Sequence, residues 1–249
     1  YWEQHPLYNL VQDEFYSSSI RLFRNGSIKS GSRWYGGWTV ISPDQRFRLS
    51  IDGQPIVNIH INAMILALLS SLTGKPMNII GTFEDIYSAV VFQLAGVSNA
   101  REKVKKVIME LIGAGNPYKK APSQDNDILN CTEEFIQIRD LCLQAYPALK
   151  CLDEKSLNLS NDLFFHEANI ITQIMLTLKQ LNVVSYPISD GFIVKLGDEV
   201  KTVDTIKSVF KSYVASFQKC NNLPELDFDI ALVVKFNPTN EFIIQGYSS

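Results

Sequence analysis

An α+β chain built around an antiparallel sheet is expected from three observations. Two stretches run apolar on either side of a turn signal, Asp52-Gly53 in one and Ser189-Asp190-Gly191 in the other, so each reads as a β-hairpin. Two later segments, from Asp162 and from Lys201, set apolar residues at helical spacing. Taken in order, the elements read β-β-α, a helical middle, then α-β-β-α-β. That order belongs to antiparallel strands with segregated helices.

The elements follow from local chemistry. Residues 7 to 24 read as a helix with apolar Leu7, Leu10, Val11, Phe15 and Ile20, stopped by Asn25-Gly26. "SGSRWYGGWTVIS", residues 30 to 42, reads as a glycine-punctuated loop feeding a strand, and "RFRLSIDGQPIVNIHI" as two strands about the Asp52-Gly53 turn. Residues 62 to 73 are apolar almost all round, so this helix should be buried. Residues 100 to 112 form a basic amphipathic helix and 132 to 150 a further helical stretch. Between them, the Pro-, Asn- and Asp-rich segment 116 to 130 is a loop. From Asp162 the stripe Leu163, Ile170, Ile174, Leu178, Leu181 follows helical spacing and Glu167 falls on it, so a carboxylate faces the core. His166, beside it, should point off the stripe and be exposed. "VVSYPISDGFIVKL" puts Asp190 at a hairpin tip, residues 201 to 218 form an amphipathic helix, and "FDIALVVKF" and "EFIIQG" close with two strands.

Composition narrows the class. The chain has 249 residues, 46% hydrophobic and 20% charged, enough for one sizeable core or two lobes. No apolar run approaches the roughly 18 residues of a membrane helix, and no signal peptide opens the sequence, whose start at Tyr1 reads as trimmed. Cys131, Cys142, Cys151 and Cys220 lack metal-site spacing and disulfide density, so they read as reduced thiols of a cytoplasmic protein. A net charge of −3 argues against indiscriminate nucleic-acid binding, yet two segments are basic. Residues 21 to 48 carry Arg21, Arg24, Lys29, Arg33, Arg46 and Arg48 against Asp44. Residues 101 to 120 carry Arg101, Lys103, Lys105, Lys106, Lys119 and Lys120 against Glu102 and Glu110. Such segments are either solvated faces or phosphate contacts.

"SRWYGGWTVISPDQRFRLSIDGQPIVNIHINAMILALLSSLTG" resembles a stretch of family A DNA polymerases, and more closely of their small phage- and prophage-type relatives. There a Gly-Arg-aromatic-Tyr-Gly-Gly loop leads to an Arg-containing strand and then to the first palm motif, a strand ending in aspartate before a helix. Asp85-Ile86-Tyr87 resembles the relatives' Asp-Pro-Tyr, Arg101 with Lys105 the Arg-x-x-x-Lys of the fingers helix, and "YPISDGFIV" the His-Asp-Ser hairpin of the third motif. Glu167 lies on the helix before that motif. The resemblance spans about residues 20 to 200, and its weight lies in the ordered succession of motifs. It implies a palm with an antiparallel sheet and a helical fingers subdomain. The divisions would be an N-terminal helical segment (1–29), a first palm part (30–75), a fingers-like insertion (76–158) and a second palm part (159–249).

Two-metal nucleotidyl transfer needs carboxylates from neighbouring strands to hold Mg²⁺ ions roughly 3.5 to 4 Å apart, with Arg and Lys neutralising the triphosphate. The resemblance therefore implies Asp190 and Glu167 as catalytic carboxylates. It also implies Arg33, Tyr35, Arg46, Arg48, Arg101 and Lys105 as nucleotide or nucleic-acid contacts. The ungapped alignment places His60 at the first metal-binding aspartate, making His60 and Asp190 the metal candidates. Imidazole suits Zn²⁺ or Mn²⁺ better than Mg²⁺, so a drifted site is expected. Ser189 and Gly191 also depart from the family's histidine and serine.

Each residue has a plain structural alternative. His60 can be a hydrogen-bonded core histidine, Asp190-Gly191 an ordinary turn pair, and Arg101 and Lys105 a solvated face. Glu167 can pair with a buried base such as Arg48 or His166, and Trp34, Tyr35 and Trp38 can be core aromatics. Three functions stay open. One is a degenerate polymerase-like protein binding DNA, RNA or a nucleoside triphosphate, with transfer lost or weakened. The second is an active divergent polymerase or nucleotidyltransferase using Mg²⁺ or Mn²⁺. The third is a palm fold repurposed as a protein-interaction module or effector.

Overall fold

The computed structural model describes residues 20–23, 26–27, 31–76, 85–122, 132–153, 159–226, 230–236 and 241–244. These form a mixed α+β structure with antiparallel sheets. The chain divides into two compact units. The first comprises Tyr1–Ile61, Glu167–Val209 and Leu232–Ile244, and the second Asn62–His166, Phe210–Ala231 and Gln245–Ser249. No helix among the described residues is long and apolar enough to cross a membrane.

The first unit is organised by a six-stranded sheet. Its strands are β3 (Ser50–Ile51), β4 (Gln54–Ile61), β5 (Ser185–Ile188), β6 (Gly191–Lys195), β7 (Leu232–Lys235) and β8 (Glu241–Ile244), in the order β5-β6-β4-β7-β8 with β3 against the start of β4. Both expected hairpins are present. Asp52 and Gly53 take φ of 52° and 73°, the two left-handed positions that a tight two-residue hairpin turn requires. In the second hairpin the turn is Ser189-Asp190, with Ser189 at φ 47°, and Gly191 is already the first residue of β6, paired with Ile188. Val57, Ile59, Phe192, Val194 and Val234 are buried on one face of this sheet, as alternation requires. Ile56, Asn58, His60, Gly191 and Ile193 share the other face.

Two sequence expectations change in this unit. Ile20–Phe23 is a strand, β1, and not the end of a helix; residues 7–19 and 24 of the expected helix lie outside the described residues. Gly31–Tyr35, read as loop, is strand β2, antiparallel to β1. The alternation Arg33, Tyr35 against Trp34 was visible, but the flanking glycines and serines masked a strand whose partner alone completes it. A 3-10 turn (Gly37–Thr39) and the short helix α1 (Pro43–Arg46) lead into β3.

The first glycine of the pair Gly36-Gly37 has a packing reason. Gly36 is in extended backbone, so its φ makes no demand for glycine, but a Cβ there would overlap the indole ring of Trp38. That indole donates from Nε1 to the Pro187 carbonyl at 2.7 Å. β5 is an edge strand, and Trp38 gives the Pro187 carbonyl a donor there. Gly36→Ala is expected to lower unfolding stability by about 2 kcal/mol, read from urea midpoints, because the ring has to leave its hydrogen bond or the loop has to shift.

The second unit is helical. Helix α2 (Met64–Thr73) buries every residue from Met64 to Ser71, the outcome its all-round apolar character predicted. After the short α3 (Ser88–Val91), helix α4 (Ala100–Ala114) buries Val104, Val107, Ile108, Leu111 and Ile112, and α5 (Thr132–Ala145) buries Phe135, Ile138 and Cys142. Lys103 is buried with them and bonded to Glu134 at 2.6 Å. The loop expected over 116 to 130 is non-helical where described, to Pro122; its remainder, with Cys131, lies outside the described residues. A 3-10 helix (Pro147–Asp153) follows α5, and helices α6 (Leu159–Gln180) and α7 (Glu199–Cys220) are divided between the units, with Glu167–Gln180 and Glu199–Val209 in the first. On α6 the stripe Leu163, Ile170, Ile174 and Leu178 is buried, whereas Leu181 lies past the helix end and is exposed.

His166 also corrects its expectation. It is partly buried, with Nδ1 2.7 Å from the Tyr213 hydroxyl and its ring edge-on to Phe165, Tyr213 and Phe217. Burial lowers its pKa, with Asp162 opposing. A long helix meeting an aromatic neighbour covers positions just off its apolar stripe, which periodicity alone does not register.

Candidate functional site

The first unit brings His60, Asp190, Glu167 and Arg33 into one electrostatic group. β4 and β6 pair so that His60 lies directly opposite Gly191. Ile61 N–H then donates to the Asp190 carbonyl at 2.8 Å, pinning the hairpin tip to the end of β4. His60 Nδ1 consequently faces Asp190 Oδ1 at 3.5 Å, both side chains being partly exposed. Gly191 is what permits this approach. A Cβ on it would overlap the Ile59 carbonyl oxygen and come within 3.0 Å of His60 Nδ1.

Glu167 is 1% exposed, as the stripe predicted, and its partner is Arg33 rather than Arg48 or His166. The guanidinium binds it through two bonds, Nε to Oε2 at 2.8 Å and Nη2 to Oε1 at 3.3 Å. The paired strands β1 and β2 are held along α6 by further bonds. Trp34 Nε1 donates to Thr172 Oγ1 at 3.0 Å and Arg21 Nη2 to Asn169 Oδ1 at 3.3 Å. Trp34 thus anchors a strand to a helix.

The two carboxylates are driven apart in acidity. Burial pushes Glu167 up to about 7, with Arg33 opposing and Asp190 adding to the rise. At Asp190 burial also resists ionisation, but the His60 contact, its own backbone N–H and the Arg33 charge outweigh it and hold the pKa below the ordinary carboxylate value. Arg33 therefore stabilises charge on both acids.

This donor set fits Mg²⁺ poorly. Both oxygens of Glu167 are taken by Arg33, leaving one imidazole nitrogen and one carboxylate, while Mg²⁺ prefers an octahedron of oxygens. Among the described residues no group of three His, Cys, Asp or Glu side chains is arranged to hold a metal ion. The arrangement is a His–Asp contact beside an Arg–Glu ion pair.

The other candidates are placed as follows. Arg46 donates to the carbonyls of Ile41 at 2.9 Å and Thr39 at 3.4 Å, holding the loop before β3. Tyr35 is partly buried on β2 and pairs with Ile20, and Arg48 is exposed. In the second unit, Arg101 binds Asp85 at 2.8 Å and lies over the Tyr87 ring, and Lys105 is exposed. Of the basic segments, then, Arg21, Arg33, Arg46, Arg101, Lys103 and Lys119 are engaged by partners within the protein. Arg24 and Lys29 lie outside the described residues.

No family model matches the sequence, and no curated protein matches it significantly. Sequence reasoning missed the Arg33–Glu167 pairing and the contact role of Gly191. The only available signal was the presence of one buried acid and several nearby arginines.

Proposed function

We propose that this chain is a polymerase-like palm and fingers protein of the family A kind in which nucleotidyl transfer has lapsed and nucleic-acid binding remains. The observation that carries the reading is the contact of His60 with Asp190 across two adjacent antiparallel strands. Where the resemblance expects two metal-binding aspartates, an imidazole meets one carboxylate, and the further acid, Glu167, is occupied by Arg33. Arg48, Lys105 and Lys120 stay exposed for phosphate contact. With Arg33, Arg46 and Arg101 engaged inside the protein, binding should be weak and should fall as salt rises.

A primed-template assay with Mg²⁺ and with Mn²⁺ tests it, on the natural chain, His60→Asp and Asp190→Ala. The natural chain is expected to incorporate nothing while retaining salt-sensitive DNA binding. Extension gained in His60→Asp would mark the lapsed step. Extension already present in the natural chain and lost in Asp190→Ala would sink the proposal in favour of a live enzyme. Silence together with no DNA or RNA binding would leave a protein-interaction role.

A further inference from the structure

The acids of the first unit already share a cation. Arg33 grips both oxygens of Glu167. Burial resists the ionisation of Glu167 and of Asp190, Arg33 opposes that resistance at each, and Asp190 adds to it at Glu167. One guanidinium therefore serves two carboxylates that sense each other. The resemblance expects a divalent ion among such carboxylates; this chain supplies a side chain.

The guanidinium is held in position by its strand. Trp34, the next residue on β2, is bonded to Thr172, and Arg21, directly opposite Trp34 on β1, is bonded to Asn169 and Thr172. Asn169 and Thr172 follow Glu167 on α6, so the strand pair is fastened to the stretch of helix that carries the acid. A planar fork presented in this way meets a carboxylate through two bonds at once. A metal ion would have to undo the arrangement. Glu167 is 1% exposed, so its charge needs a partner throughout, and an incoming ion would face the positive charge of Arg33 while displacing it.

We infer that the guanidinium of Arg33 is the permanent cation of this site, standing in for the divalent ion that the resemblance expects. Its removal should uncover a latent ion site formed by Glu167, Asp190 and the His60 imidazole, a mixed oxygen and nitrogen donor set that suits Mn²⁺ better than Mg²⁺. The inference rests on the palm reading only in naming what the arginine replaces. Its test reads neither primer extension nor nucleic-acid binding, so the two can fail separately.

Mn²⁺ titrations followed by the electron paramagnetic resonance of the free ion test it on the full chain, at about pH 8, above the value to which burial pushes Glu167. The natural chain is expected to leave the signal unchanged up to about 1 mM Mn²⁺. Arg33→Ala is expected to take up one ion with a Kd on the order of 0.1 to 1 mM, the weak end of protein cation sites. Adding Glu167→Gln to that variant should weaken uptake about tenfold, because a ligand charge is lost. Arg33→Lys, which keeps the positive charge, should take up none. Uptake by the natural chain that Asp190→Asn abolishes overturns the inference, and so does a folded Arg33→Ala chain that takes up no ion. An Arg33→Ala chain that stays unfolded with and without Mn²⁺ overturns it as well, because an ion in the place of the guanidinium should restore the fold.

Discussion

Gly191→Ala is expected to cost the protein more stability than any other single-methyl addition in the first unit, by about 3 kcal/mol or more. The added Cβ would fall on the Ile59 carbonyl oxygen, an atom of a central strand that cannot swing aside, and against the Cα and Nδ1 of His60. Overpacking of this kind is relieved only by moving backbone. Here that means separating β6 from β4, whose pairing runs from Ile56↔Lys195 to His60↔Gly191. The expected result is a large drop in the urea midpoint or loss of the folded far-UV spectrum. A midpoint within experimental error of the natural chain would show that the two strands do not approach so closely. His60→Gly combined with Gly191→Ala should recover little, because the backbone oxygen of Ile59 remains.

The second large effect is a pH dependence centred on Glu167. Its carboxyl titrates near 4.5 in the unfolded chain and is pushed up to about 7 when folded, because burial outweighs the help of Arg33. Between those values the folded state binds more protons than the unfolded one, so stability falls as pH rises. The contribution is full below about pH 4.5, declines through pH 7 and is gone above it, a change on the order of 3 kcal/mol. Urea midpoints at pH 5 and pH 8 should differ accordingly, and Glu167→Gln should flatten the difference. Arg33→Met sharpens the same test. At pH 8 it would leave a buried carboxylate with no cation beside it and cost about 3 to 5 kcal/mol, while at pH 5 the neutral carboxyl should tolerate it far better. Equal losses at both pH values would mean that Glu167 keeps one protonation state throughout.

Much of this architecture could be read locally. Asp52-Gly53 and Ser189-Asp190 mark hairpins because few residues tolerate the backbone that such turns need, and a turn dictates the pairing that follows it. Glu167 could be assigned to the core because helical spacing leaves it between Leu163 and Ile170 on one face. β2 could not be read, since it depends on β1 for its hydrogen bonds, and β1 itself looked like the end of a helix. Leu181 looked buried because the stripe continued, but the helix had already ended.

Partners were a different matter. Arg33 and Glu167 are 134 residues apart in the chain, and Trp38 and Pro187 are 149 apart. No period or spacing relates them. What the amino-acid order determined by itself was the two hairpins with their turns, the long helices, and most of the positions that face inward on them, since these follow from backbone sterics and from the 3.6- and 2-residue periods. Only the tertiary structure decided which arginine meets the buried acid, that Gly191 serves contact rather than turning, and that His60 comes to rest against Asp190. Those outcomes depend on strand register and on distances between residues remote in sequence, where side-chain reach and desolvation choose among chemically equivalent candidates.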